Sequence, residues 1–69
     1  DAVIQKGRNI SVTCVEPSRV TVMNVKGELQ IVRASALTHE LQLEALEPGV
    51  YVIVTENATS RYTKKVMLY

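Results

Sequence analysis

The sequence contains no tryptophan and no phenylalanine, and only one cysteine and one histidine among its 69 residues. Each shortage removes a class of explanation. Cys14 has no partner for an intrachain disulfide, and Cys14 with His39 falls short of the ligand cluster that a structural zinc needs. No apolar run is long enough to cross a bilayer as a helix, and no charged-then-apolar leader opens the chain. The net charge is +1, so the broad basic surface that nucleic acid requires is missing. The three glycines are not grouped into a phosphate-cradling loop, and neither a cofactor nor a small-molecule substrate is expected. A chain this short buries only about 60% of its unfolded surface, which leaves a thin core. Such a core calls for a staple, a partner or a larger parent. Asp1 leads directly into strand-like sequence, and residues 1–69 read as one domain, the last of a longer protein.

What is present is β-forming sequence, organised around Leu46-Glu47-Pro48-Gly49-Val50-Tyr51 and the Val52-Ile53-Val54 that follows. Pro48 and Gly49 suit the central positions of a type II turn. The residues after them are β-branched and aromatic without a breaker. Val50, Val52 and Val54 lie on one face and Tyr51, Ile53 and Thr55 on the other. Both faces carry apolar groups, which predicts a central, buried strand. Tyr51 is placed to hydrogen-bond back to the backbone at the strand corner, as in the tyrosine corner of β-sandwiches.

Around this hub the chain reads as short strands divided by turns. Ala2-Val3-Ile4-Gln5 comes first and closes at Lys6-Gly7-Arg8-Asn9. Ile10 to Val15 alternates, with Ile10, Val12 and Cys14 inward and Ser11 and Thr13 outward. Glu16-Pro17-Ser18 breaks that strand. Arg19 to Asn24 then points Val20 and Val22 inward, and Asn24-Val25-Lys26-Gly27 turns the chain with Gly27 left-handed. Glu28 to Arg33 returns. The segment 34–47 is ambiguous: its residue types favour a helix, yet a lone helix among strands would leave a sheet face uncovered. A loop through Ala34-Ser35-Ala36 and a strand His39-Glu40-Leu41-Gln42-Leu43 is the expectation, with Leu46 plugging the core. After a loop at Asn57-Ala58-Thr59-Ser60, Arg61 to Tyr69 pairs with the hub, with Val66 and Leu68 on one face and Lys65 on the other. The fold class expected is all-β: an immunoglobulin-like antiparallel β-sandwich of about seven short strands.

Chemistry is sparse. Glu40 and Glu44 would share a face, but a catalytic pair also needs a cleft. His39 reads as a turn or surface residue and Cys14 as a small core hydrophobe. Asn9-Ile10-Ser11 and Asn57-Ala58-Thr59 match the glycan-acceptor pattern, though turns favour the same residues. Lys64-Lys65 on an edge strand discourages edge-to-edge pairing. Physics alone gives a small module that binds or is bound, and no enzyme. Exposed edges leave dimerisation of the isolated domain open.

The succession Val20-Thr21-Val22-Met23-Asn24-Val25-Lys26-Gly27-Glu28-Leu29, then Leu43-Glu44-Ala45-Leu46-Glu47-Pro48-Gly49-Val50-Tyr51-Val52, then Tyr62-Thr63-Lys64-Lys65-Val66 resembles the type A C-terminal sorting domain of the type IX secretion system of Bacteroidetes. The likeness runs from Ile10 onward and rests on the order and spacing of the motifs. Met23 stands where an aromatic is usual, and the Asn-Pro segment that often opens the domain is missing. The resemblance implies a non-catalytic secretion signal on a secreted cargo protein. It also implies recognition in the periplasm by outer-membrane translocon components. Removal by a sortase-like protease would follow, with the cargo attached to the cell surface or released outside. Gly27, Gly49, Tyr51, Lys64, Lys65 and Val66 are the positions it carries over. An immunoglobulin-like or fibronectin-like adhesion or spacer module is the alternative. A carbohydrate-binding module is weaker still, because Tyr51, Tyr62 and Tyr69 are the only aromatics.

Overall fold

The computed structural model describes residues 2–69. Its elements are β1 (Ala2–Lys6), β2 (Asn9–Asn24), β3 (Leu29–Gln42), β4 (Gly49–Glu56) and β5 (Arg61–Leu68), with no helix among the described residues. All strands belong to one antiparallel sheet in the order β1-β2-β4-β5, with β3 also paired to β2. β3 follows one edge of β2 along most of its length. The other edge of β2 is shared: β1 takes Asn9 to Thr13 and β4 takes Arg19 to Asn24. The result is a single curled sheet.

Five continuous strands therefore stand where seven short ones in an immunoglobulin-like sandwich were expected. The two supposed interruptions, Glu16-Pro17-Ser18 and Ala34-Ser35-Ala36, both stay extended within β2 and β3. A bulge makes the bend instead of a loop. Between one paired position and the next, β2 runs from Thr13 to Ser18 while β3 runs only from Thr38 to Ala36. The surplus residues on β2 break the register with β3, which buckles the strand and sharpens its twist. Pro17, which has no N–H to donate, falls inside that bulge.

The bend folds the sheet around one core. Ile10, Val12, Leu41 and Leu43 enter it from the first half of the β2–β3 ribbon, and Val20 and Val22 from the second, where Ile53, Val66 and Leu68 join them. These are the inward positions that the alternation marked. Cys14 is buried there too, as expected. β4 lies between β2 and β5, so the hub strand is central. Its core face is Tyr51, Ile53 and Thr55, while Val50 and Val52 on the opposite face are half-buried.

His39 departs from its expected surface position and is only 6% exposed. Its Nε2–H donates to the Ser18 carbonyl at 2.8 Å. The bulge supplies the physical reason: the register shifts on both sides of Ser18, which sets its carbonyl beside the ring, and a buried imidazole needs a hydrogen-bond partner. Ser18 Oγ donates to the Glu16 carbonyl in the same place, at 2.9 Å.

Segment 34–47 contains the strand rather than the helix, and Leu41 and Leu43 are buried. Leu46 is half-buried against the core. The turn beyond them is not where Pro48 and Gly49 suggested: the reversing hydrogen bond runs from Leu46 N–H to the Leu43 carbonyl, 3.2 Å. Gly49 has φ 152°, far from the roughly +80° of a type II turn. It enters β4 through an extended conformation with positive φ that L residues rarely adopt.

Candidate functional site

Five of the six positions singled out in the sequence lie on the β4–β5 ladder. Gly49 faces Leu68, Tyr51 faces Val66, Val52 faces Lys65 and Ile53 faces Lys64. Gly27 is apart from them, in the β2–β3 turn, with φ 83°. That turn is set locally: Gly27 N–H donates to the Asn24 carbonyl at 3.0 Å, and Asn24 Oδ1 accepts from the N–H groups of Lys26 and Glu28 at 2.9 and 3.0 Å. An asparagine that bonds its own backbone neighbours, followed by a glycine that tolerates αL, is sufficient to specify such a hairpin.

Tyr51 behaves as the corner motif requires. Its ring is 7% exposed and its hydroxyl donates to the Glu47 carbonyl at 2.6 Å. The contact ties the start of β4 to the Glu47-Pro48 segment that precedes it. Val66, directly across the ladder, is 5% exposed. The Val66 side chain therefore sits in the core beside the Tyr51 corner.

The two lysines point to opposite sides of β5, since successive side chains on a strand alternate. Lys65 faces away from the core. Lys64 shares the side of Val66 and Leu68 yet is exposed. An inward-pointing charge on an edge strand is one of the devices that deter edge-to-edge pairing. β5 is such an edge, paired among the described residues only with β4. It carries Arg61, Lys64 and Lys65 and no acid.

Two residues that the sequence reading passed over hold the end of this strand. Arg8, half-buried in the β1–β2 turn, donates from Nη1 to the carbonyls of Leu43 and Leu46 at 3.1 and 2.6 Å. Its Nε and Nη2 both donate to the Tyr69 backbone oxygen, at 3.2 and 2.9 Å. Gln5 Nε2 donates to the Met67 carbonyl at 2.7 Å. The planar fork of arginine suits this task, because its donors diverge in fixed directions toward several acceptors. Nothing in the sequence distinguishes Arg8 from a solvated turn residue; only the fold brings those carbonyls to it. Beyond the opposite end of β5, Asn57 closes the β4–β5 loop. Its Oδ1 accepts from the N–H groups of Thr59 and Ser60, both at 2.9 Å, and its Nδ2 donates to Ser18 Oγ at 3.1 Å.

The arrangement offers little for catalysis. Glu40 lies in β3 and accepts from Ser11 Oγ at 2.7 Å, whereas Glu44 lies in the turn after β3. The shared carboxylate face expected of them is therefore absent, because the strand ends at Gln42 before Glu44 is reached. No group of metal-ligating side chains occurs among the described residues. A cleft of about 380 Å³ beside the bulge is open to solvent, with Tyr62 as its aromatic. Tyr51 is buried in the core and does not line this cleft.

No curated protein and no solved structure matches the chain. The family model for the secretion system C-terminal sorting domain matches residues 5–69. That span takes in the β2–β3 turn, the Tyr51 corner and the whole of β5, and the chain belongs to the family of type IX secretion system C-terminal sorting domains.

Proposed function

We propose that the domain, a C-terminal sorting signal of a secreted protein whose cargo passes to the outer membrane, the cell surface or the exterior, is read by the secretion machinery through β5. Outer-membrane translocon components bind the strand around Lys64 and Lys65 in the periplasm, while Gly27, Gly49, Tyr51 and Val66 hold the fold that presents it. A sortase-like protease then removes residues 1–69, which form a single domain joined to a longer cargo. The domain itself performs no catalysis. In this reading the curled sheet does the work of an immunoglobulin-like label, offering one rigid edge to a receptor.

The observation that carries this reading is that β5 is an exposed edge strand with three cations and no acid. Edge backbone groups and side chains of one sign are what a receptor can engage by strand pairing and by charge. Deleting Lys64 to Tyr69 would not test it, because Val66 and Leu68 leave the core with them. The sharper perturbation is Lys64→Gln with Lys65→Gln in a passive reporter fused ahead of residues 1–69 in a Bacteroidetes host. The reporter is expected to remain in the periplasm while the domain stays folded by circular dichroism. Surface delivery at the unmodified level would overturn the assignment of recognition to these lysines. Export of the unmodified fusion also separates a sorting signal from a spacer module, which would leave the reporter behind.

A further inference from the structure

The edge of β5 is not uniformly open. In the β4–β5 ladder the loop-closing bond from Asn57 N–H to the Ser60 carbonyl marks 57 and 60 as a hydrogen-bonded pair. In an antiparallel ladder such pairs alternate with non-bonded ones. With Thr55 opposite Tyr62 and Ile53 opposite Lys64, the even-numbered residues of β5 therefore bond to β4. Arg61, Thr63, Lys65 and Met67 turn their N–H and C=O groups outward. The Met67 carbonyl, which accepts from Gln5 rather than from β4, agrees with this parity.

Gln5 and Arg8 then divide the edge. They occupy the Met67 and Tyr69 oxygens with side-chain donors, so the last part of the edge is already capped. Arg61, Thr63 and Lys65 remain as a short run of outward rungs, ending at the Asn57-closed loop on one side and at the Gln5–Arg8 clasp on the other. The side chains of Arg61 and Lys65 flank this run on the face away from the core. Lys64 flanks it on the other face.

We propose that Arg61–Lys65 is a bounded docking strip for one extended, acidic segment of a partner protein, added as a further strand. This rests on the reading of β5 as the recognised strand and specifies the chemistry of what binds it. Opposite charges facing each other across strands stabilise a pair, and like charges destabilise it. An incoming strand with acids opposite Arg61 and Lys65 satisfies both cations while its backbone satisfies the open rungs. A second copy of the same strand does not fit. Antiparallel pairing of β5 with itself about Thr63 sets Arg61 opposite Lys65 of the other copy, twice over. The clasp sets the length of the strip, and Gln5 is the residue whose loss lengthens it.

The test is a nitrogen-15 NMR titration of the full chain with a short capped peptide alternating glutamate and valine. A lysine-for-glutamate version serves as control. Shifts are expected at the amides of Arg61, Thr63 and Lys65 with the acidic peptide, weakening as salt rises, and none with the control. R61E/K65E is expected to weaken the acidic peptide roughly ten-fold and to admit the control peptide. Gln5→Ala should extend the shifts to Met67 without changing the melting temperature by more than a few degrees. Shifts mapping to β1 or β3, shifts alike for both peptides, or concentration-dependent β5 pairing between copies would each overturn the proposal. Reporter export distinguishes the two layers. If R61E/K65E is exported normally while peptide binding maps to the strip, the sorting assignment fails and the strip stands. If K64Q/K65Q blocks export but no acidic peptide binds, the strip fails and the sorting assignment stands.

Discussion

Replacing Arg8 with alanine is expected to cost more stability than any other single exposed or half-exposed charge in the molecule. The guanidinium serves the Leu43 and Leu46 carbonyls in a part-buried position and the Tyr69 oxygen in an exposed one. A hydrogen bond to a charged group contributes roughly 1.5–3 kcal/mol net when water is excluded. Tyr69 is 89% exposed, so water replaces much of its share and the two turn carbonyls dominate. Both turn carbonyls are only part-buried, so each bond falls to the low end at about 1–1.5 kcal/mol, and the sum expected for Arg8→Ala is about 2–3 kcal/mol. A domain of this length has on the order of 3–10 kcal/mol in total, so the loss is a large fraction of the whole. Urea unfolding followed by circular dichroism reads it directly. With a slope near 1 kcal/mol/M for a small protein, the midpoint should fall by about 2 M. Arg8→Lys should recover less than half of this, because an ammonium is a point donor and cannot span acceptors that diverge in a plane. A midpoint within about 0.5 M of the parent for Arg8→Ala, or full recovery by lysine, would refute the account of Arg8 as the tie between turn and strand end.

Two smaller changes probe the core. Tyr51→Phe keeps the ring and removes only the bond to the Glu47 carbonyl; it should cost about 1 kcal/mol, a fall in melting temperature of roughly 4–8 °C for a domain this size. An unchanged melting temperature would remove the corner bond from the account. Thr55 Oγ1 is buried with no hydrogen-bond partner among the described residues, and Thr55→Val replaces it with a methyl of similar shape. The midpoint should rise or stay level; a fall of more than about 1 kcal/mol would mean the hydroxyl has a partner that the fold conceals.

The inward residues were legible because a strand has a fixed two-residue period, and a water-filled side requires polar groups at every other place. Ile10, Val12, Val20, Val22, Leu41, Leu43, Val66 and Leu68 could be placed on that ground alone. The Asn24–Gly27 turn was legible for a similar reason: its bonds run between neighbours in sequence, so local chemistry specifies them. Tyr51 belongs with these, since its acceptor is only a short step back along the chain. The order of motifs also sufficed to indicate the sorting-domain family.

Tertiary structure alone decided the rest. Whether Glu16-Pro17-Ser18 ends a strand or merely buckles it depends on the strand alongside, and β3 keeps pairing past the bulge. His39 is buried rather than at the surface because the bulge sets the Ser18 carbonyl beside its ring. Arg8 and Gln5 gave no sign at all, since their acceptors at Leu43, Leu46, Met67 and Tyr69 lie far away in sequence. A side chain's local pattern reports which way it faces, but the groups it meets come from segments the curl of the sheet brings round. The extent of open edge on β5 is a property of that closure, and so it could not be read from the residues of β5.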